Sequence, residues 1–197
     1  MDKKSTEGVG VFAQHYPRVA VIITSRNQDK TNAMTAAWHM PVSFDPPLFA
    51  VAISPKRCTY RLIGASKEFA VNFMPATRAE EVVAVGGSDG ESLDKLRTFR
   101  LSLDRPSRTL VPILRDAYAA YECRLVDDRL YGDHQLLVGE VVAVHWQKKA
   151  FMDDGSLDFA KVSPLLYFGN EHYLSTAGCA ISTIDRELCL ERLRTQK

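Results

Sequence analysis

The chain has 197 residues, of which 46% are hydrophobic and 25% charged. Those proportions fit one globular domain and exclude a disordered chain, a collagen-like repeat and a disulfide-dense miniprotein. Lys and Arg total 25 against 24 Asp and Glu, a net of +1. That balance gives no global field toward nucleic acid or an anionic membrane. Cys58, Cys123, Cys179 and Cys189 form no CxxC pair and read as reduced, cytosolic thiols. Residues 1–14 lack an apolar stretch behind their lysines, and no run approaches a membrane span. A cytoplasmic protein of one domain is expected, with a core over about residues 15–175 and a C-terminal extension over 176–197.

Residues 1–15 form a polar lead-in ending in Phe12. The β-branched run of residues 19–23 predicts a buried strand, followed by a polar turn over Ser25–Thr31. From Met34 the chain alternates, with Ala36, Trp38, Met40 and Val42 sharing one strand face. Asp45-Pro46-Pro47 ends that strand, and residues 48–53 supply the next. Thr59–Lys67 predicts a short helix with Thr59 as N-cap, and Phe69–Phe73 returns to strand. Thr77 with Glu80 reads as a capping box for a second helix that stops at Gly86-Gly87. Residues 88–110 are polar and basic, with a helical turn near Ser92–Leu96. Two long strands follow, over 117–126 and 135–146, joined through Asp127-Asp128 and Tyr131-Gly132-Asp133. Ile184 and Leu188 suggest a terminal helix or arm. Six or seven strands, following one another more often than they alternate with helices, predict an antiparallel barrel with helical insertions.

The GxGxxG, GxxxxGK[ST] and HExxH patterns are missing from the sequence. Three segments carry chemistry. Thr31-Asn32-Ala33-Met34-Thr35 enters a strand after a turn and could present backbone groups to a planar ligand, or be an ordinary strand entry. Ser54-Pro55-Lys56-Arg57-Cys58-Thr59 combines hydroxyls, cations and a helix N-terminus, the set an anion needs. It reads equally as a helix start with solvated basic residues. Gly132-Asp133-His134 places a histidine beside a carboxylate at a strand entry, either to donate to a substrate or to pack in a turn. The basic stretch Lys95, Arg97, Arg100, Arg105 and Arg108 is either a solvated loop or a phosphate-facing one. His15, His39, His145 and His172 share no ligand spacing, and on an unbroken strand His134 and His145 would face opposite ways. No metal is expected.

In order, these pieces resemble the flavin reductase-like FMN-binding family. The resemblance runs through Asn32–Thr35, Ser43–Leu48, Ser54 with Arg57–Thr59, Glu68–Asn72, Asp94-Lys95, Gly132–Val141 and Pro164–Gly169 with Tyr173. It implies a mainly β fold, an antiparallel split β-barrel, with bound FMN and a homodimer. By that resemblance Asn32, Ala33, Met34 and Thr35 line the flavin ring, and Ser54, Lys56, Arg57 and Thr59 hold the phosphate. Lys95 reaches the flavin from the long loop, and Phe168 and Tyr173 close the pocket. His134 is the implied catalytic residue, where NADH or NADPH would stack as transient donor. Three functions stay open. One is an NAD(P)H-dependent oxidoreductase passing electrons to free flavin, ferric complexes or a partner protein. The others are a non-enzymatic electron carrier and a flavin- or haem-binding module without turnover.

Overall fold

The structure is a computed structural model that describes residues 2–10 and 14–179; the expected C-terminal helix and Phe12 lie outside the described residues. Among the described residues twelve strands follow in chain order: β1 Arg18–Val19, β2 Val21–Asn27, β3 Lys30–Ala36, β4 His39–Phe44, β5 Pro47–Ile53 and β6 Glu68–Phe73. Then come β7 Leu103–Asp104, β8 Ile113–Leu114, β9 Ala119–Tyr131, β10 His134–Trp146, β11 Leu165–Gly169 and β12 His172–Ser175. Helix α1 (Cys58–Ser66) sits between β5 and β6, and α2 (Ala79–Gly86) and α3 (Lys95–Thr98) between β6 and β7.

Seven strands form one antiparallel sheet in the order β3-β2-β6-β9-β10-β5-β4. Its two edge strands, β3 and β4, are consecutive in the chain and separated only by Ala37 and Trp38. So short a link reaches about 10 Å. The chain can leave one edge and join the other only if the sheet curls until those edges meet. That requirement produces the split barrel. The predicted single strand through Met34–Val42 is therefore two strands: Met34 and Ala36 pair along β2, whereas Met40 pairs along β5. Past the link the apolar face turns outward, leaving Met40, Val42 and Phe44 exposed.

The interior holds Val21, Ile23, Val51, Ile53, Phe69, Val71 and Leu137, with Ile63 of α1 packed into them. Gly139 sits mid-strand in β10 because the Phe69 ring and Cys123 lie against its backbone. A Cβ there would stand 2.6 Å from Phe69 Cζ. A second cluster, with Ile22, Ala33, Val82, Val85 and Leu165, fills the space between β2–β3, α2 and the small sheet β1-β11-β12.

Several boundaries differ from the sequence reading. The β2–β3 ladder runs on to Asn27 and Lys30, so the turn is only Gln28-Asp29, with Gln28 in the left-handed region. Thr59 is not the N-cap. Arg57 holds that position, and Thr59 is drawn into the buried first turn by a bond from Asn32. Thr77 does not cap α2 either. The chain enters through a 3-10 turn at Ala76–Arg78, and Arg78 makes bonds to Glu81 and Asp116. The short helix starts later than expected, at Lys95, with Asp94 Oδ1 accepting from Arg97 N at 3.1 Å. β9 continues through Asp127-Asp128, leaving a tight Gly132-Asp133 turn before His134. β10 carries two register shifts, so strand parity does not extend from His134 to His145.

The segment between β7 and β9 straps across the outer face of β6 and β9, where side chains take the place of a backbone ladder. Glu68 Oε2 accepts from Leu110 N at 2.8 Å, Thr24 Oγ1 donates to Pro112 O at 2.7 Å and Asn72 Oδ1 accepts from Leu114 N at 2.7 Å. Glu122 is fully buried and receives five bonds from Ser107, Arg108 and Thr109 and one from His145 Nε2 at 2.6 Å. Burial pushes its carboxyl up, but the donors outweigh burial and lower it to about 2.

Candidate functional site

Edge strand β3, the β5–α1 turn, the loop after α2 and the start of β10 enclose one cleft of about 230 Å³. Each wall has a local cause. β3 has a partner on one side only, so half its backbone N–H and C=O groups stand outside the ladder. The turn Ser54–Arg57 closes with Arg57 N donating to Ser54 O at 3.0 Å and delivers the chain into α1. No side chain caps that helix, so its first N–H groups lack a side-chain acceptor.

Nine predicted residues meet here: Asn32, Met34, Thr35, Ser54, Lys56, Arg57, Thr59, Lys95 and His134. Asn32 is buried, and its Nδ2 donates to Thr59 Oγ1 at 2.9 Å, leaving the Thr59 hydroxyl proton free to donate elsewhere. Thr35 Oγ1 donates to Val82 O at 2.5 Å, tying β3 to α2. Lys95 is only 4% exposed, and its Nζ donates to Val85 O at 2.8 Å. Burial pushes its pKa down and the neighbouring Arg57 pushes the same way, with Asp89 opposing them. None of Lys56, Arg57 and Lys95 forms an ion pair among the described residues. Three cations line one cleft; Arg57 and Lys95 are close enough to feel each other, Asp89 acts on Lys95, and Lys56 acts on Asp133. Such an arrangement favours a bound anion.

His134 lies at the other end. Its Nδ1 is 2.8 Å from Asp133 Oδ1, which holds the Asp133 carboxyl below its usual value. Its ring rests against Trp38, centroids 4.9 Å apart. Three predicted residues do not line the cleft. The Ala33 methyl is fully buried in the cluster behind β3. Phe168 is on β11, half exposed, and Tyr173 on β12 packs against Tyr167, both in the small sheet.

The structure adds wall residues that the sequence reading did not assign to a site: Trp38, Ser88, Asp89 and Gly90. Gly90 lies so close to Asn32 that a Cβ would stand 2.4 Å from its Oδ1. Glu91 then bridges Lys30 and Arg61, fastening the loop to β3 and α1. The Ser88-Asp89-Gly90 turn was the available signal, though nothing in it indicates which strand the loop meets.

The flavin reductase like domain model matches residues 13–176. An uncharacterized protein from Pyrococcus abyssi is 35% identical over 136 residues, covering 69% of this chain and 78% of its own. The crystal structure of an FMN-binding protein from Thermus thermophilus, solved with bound 1-cyclohex-2-enone, is 32% identical with a TM-score of 0.80. It covers 93% of this chain and 98% of its own. Flavoredoxin from Methanosarcina acetivorans, 21% identical over 96% of this chain and 99% of its own, has the same fold with a TM-score of 0.81. With a family model matching most of its length, the chain belongs to the flavin reductase like domain family.

Proposed function

We propose that the protein binds FMN in this cleft and works as an NAD(P)H-dependent oxidoreductase. The observation that carries the reading is the pairing of Arg57 and Lys95 in a cleft that also holds the uncapped N-terminus of α1. One compact anion site suits the single phosphate of a mononucleotide. The residues fit the rest of the group as well. Ser54 and Thr59 offer hydroxyls beside the cations, and the free edge of β3 offers backbone donors and acceptors to the rim of a planar ring. The similarity to the Thermus thermophilus FMN-binding protein supports the same cofactor.

FMN, when bound, supplies hydride and single-electron chemistry. The chain does the rest. Arg57 and Lys95 neutralise the phosphate, and Asn32 fixes Thr59 in register with it. The Gly86–Glu91 loop covers one flank of the cleft. His134, oriented by Asp133 and Trp38, stands where a nicotinamide would approach and orients that donor. Bound FMN gives the purified protein a flavin visible spectrum, and heat should release FMN and no FAD. Anaerobic NADH or NADPH should bleach that band. Failure of both while another redox protein bleaches it would make the chain an electron carrier instead.

A homodimer completes the proposal. Met40, Val42 and Phe44 are 50%, 49% and 100% exposed on edge strand β4, an apolar edge that suits a second copy. Light scattering at micromolar concentration should give twice the chain mass; the monomer mass would remove this part.

A further inference from the structure

Strand β10 outruns one of its neighbours. β5 pairs with it only from Gln135 to Glu140, whereas β9 follows it to Trp146. Along residues 141–146 the other edge of β10 has no strand beside it, and no backbone hydrogen bond among the described residues reaches it. The sequence there, Val-Val-Ala-Val-His-Trp, holds no proline, lysine or carboxylate, the usual means of blunting an edge. A bulge between Val141 and Ala143 is its one irregularity, and from Ala143 to Trp146 the register with β9 is unbroken. Val144 and Trp146 are 47% and 61% exposed.

A groove of about 900 Å³ opens between this stretch and the strap. Ile113, Leu114, Ala117 and Ala120 form its apolar floor. Two of its polar groups are already engaged, Gln147 Nε2 by Ala117 O at 3.1 Å and His145 by Glu122. Arg115 pairs with Asp104 at 2.9 Å. Arg105 and Lys148, both exposed, take part in no ion pair among the described residues and leave the groove with a cationic surplus. On the other face Val144 and Trp146 line a smaller hollow, where Asp153 is the one carboxylate.

We propose that this edge docks an extended, acidic segment of a partner protein, which joins the sheet as a further strand. An added strand satisfies the outward N–H and C=O groups of residues 141–146, and its side chains alternate between the two faces. Carboxylates on the strap side meet Arg105 and Lys148, and apolar side chains on the other side cover Val144 and Trp146. A second copy of this chain fits less well, because it would bring the same cationic surplus against itself. His145 and His134 stand near opposite ends of β10, on the order of 30 Å apart at the rise of a strand. A partner held here therefore leaves the cleft open, and its docking does not depend on FMN.

The probe is a capped eight-residue peptide of alternating Glu and Val, added to the full chain labelled with ¹⁵N. It should move the amides of residues 143–146 and the Trp146 indole N–H saturably, with a Kd on the order of 0.1 mM at low salt, and slow exchange of the outward amides. The Lys-Val counterpart should bind at least about tenfold more weakly. So should the Glu-Pro version, which keeps the carboxylates but lacks half the backbone donors. Arg105→Glu combined with Lys148→Glu should weaken the Glu-Val peptide about tenfold or more while FMN titrates as in the parent. Unmoved amides over 143–146, equal binding of the Lys-Val or Glu-Pro peptide, or indifference to the double variant overturns the proposal. Outward amides that already exchange slowly without peptide mean a covered edge and overturn it too. Release on dilution would identify the cover as a second copy, and no release would identify it as the chain itself.

Discussion

In the proposed site, Arg57 is the residue assigned most of the burden at the phosphate end. It stands at the N-cap position of α1, takes part in no ion pair among the described residues, and adds to the burial that depresses the Lys95 pKa. Arg57→Ala should weaken FMN binding by about 1.5–3 kcal/mol in a fluorescence titration, the range for a hydrogen bond to a charged group. Arg57→Lys should recover only part, because an ammonium cannot grip two phosphate oxygens in one plane. His134 belongs to the other end. His134→Ala should retain FMN but slow its reduction by NAD(P)H about 10- to 100-fold in stopped-flow measurements. Loss of FMN would instead make it a cofactor ligand. Residues such as Arg57 and His134 were legible because turn chemistry marks them locally, a loop between buried strand and helix or a tight Gly-Asp turn. Asp89, Gly90 and Trp38 were not. Each reaches the cleft through a long-range packing event that has no local pattern. Phe168 and Tyr173 show the converse: the family resemblance draws them to the pocket, and the structure sets them in another sheet.

At the level of elements, the loop after α2 is the part most open to test. Gly90 touches Asn32, and Asn32 in turn holds Thr59. Gly90→Ala should push the loop off β3 and lower FMN affinity about tenfold or more, with fold stability reduced by only about 1–3 kcal/mol. Equal FMN affinity in the variant would show that the loop takes no part in binding. Strand existence was readable from β-branched runs, because burial on a pleated face selects those residues. Strand ends were less so. Lys30, Asn27, Asp127 and Asp128 look like turn residues, yet all lie in ladders, since an exposed strand face tolerates any polar side chain. The helix starts failed for a related reason. Thr59 and Thr77 have cap-forming side chains, but tertiary bonds from Asn32 to Thr59 and from Ala76 to Ser163 set the chain path there instead of capping.

For the whole molecule, the barrel class followed from strand succession, whereas the order β3-β2-β6-β9-β10-β5-β4 did not, because pairing partners are chosen by packing across the interior. Nor did sequence mark Glu122, a charged residue in the middle of a predicted strand. It anchors the strap and ties acid stability to one carboxyl. Its folded-state value of about 2 lies below the ordinary 4.5, so its contribution is complete above pH 4.5 and is lost as pH falls toward 2. Glu122→Gln should reduce unfolding free energy at pH 7 by about 2–3 kcal/mol in urea titrations. The gap between parent and variant should narrow below pH 4. A gap that stays constant down to pH 2.5 would assign the loss to packing alone.

The strap has a further consequence, for cooperativity. The amides of residues 107–109 are held by a carboxylate inside the molecule, not by a neighbouring strand. Glu122 cannot be stranded in the barrel wall without them, since an ionised group stripped of its donors is too unfavourable to populate. Local fraying of this surface segment is therefore suppressed. In native-state hydrogen exchange, these three amides should open together with the barrel strands, at the global unfolding free energy, although an ordinary surface loop exchanges far sooner.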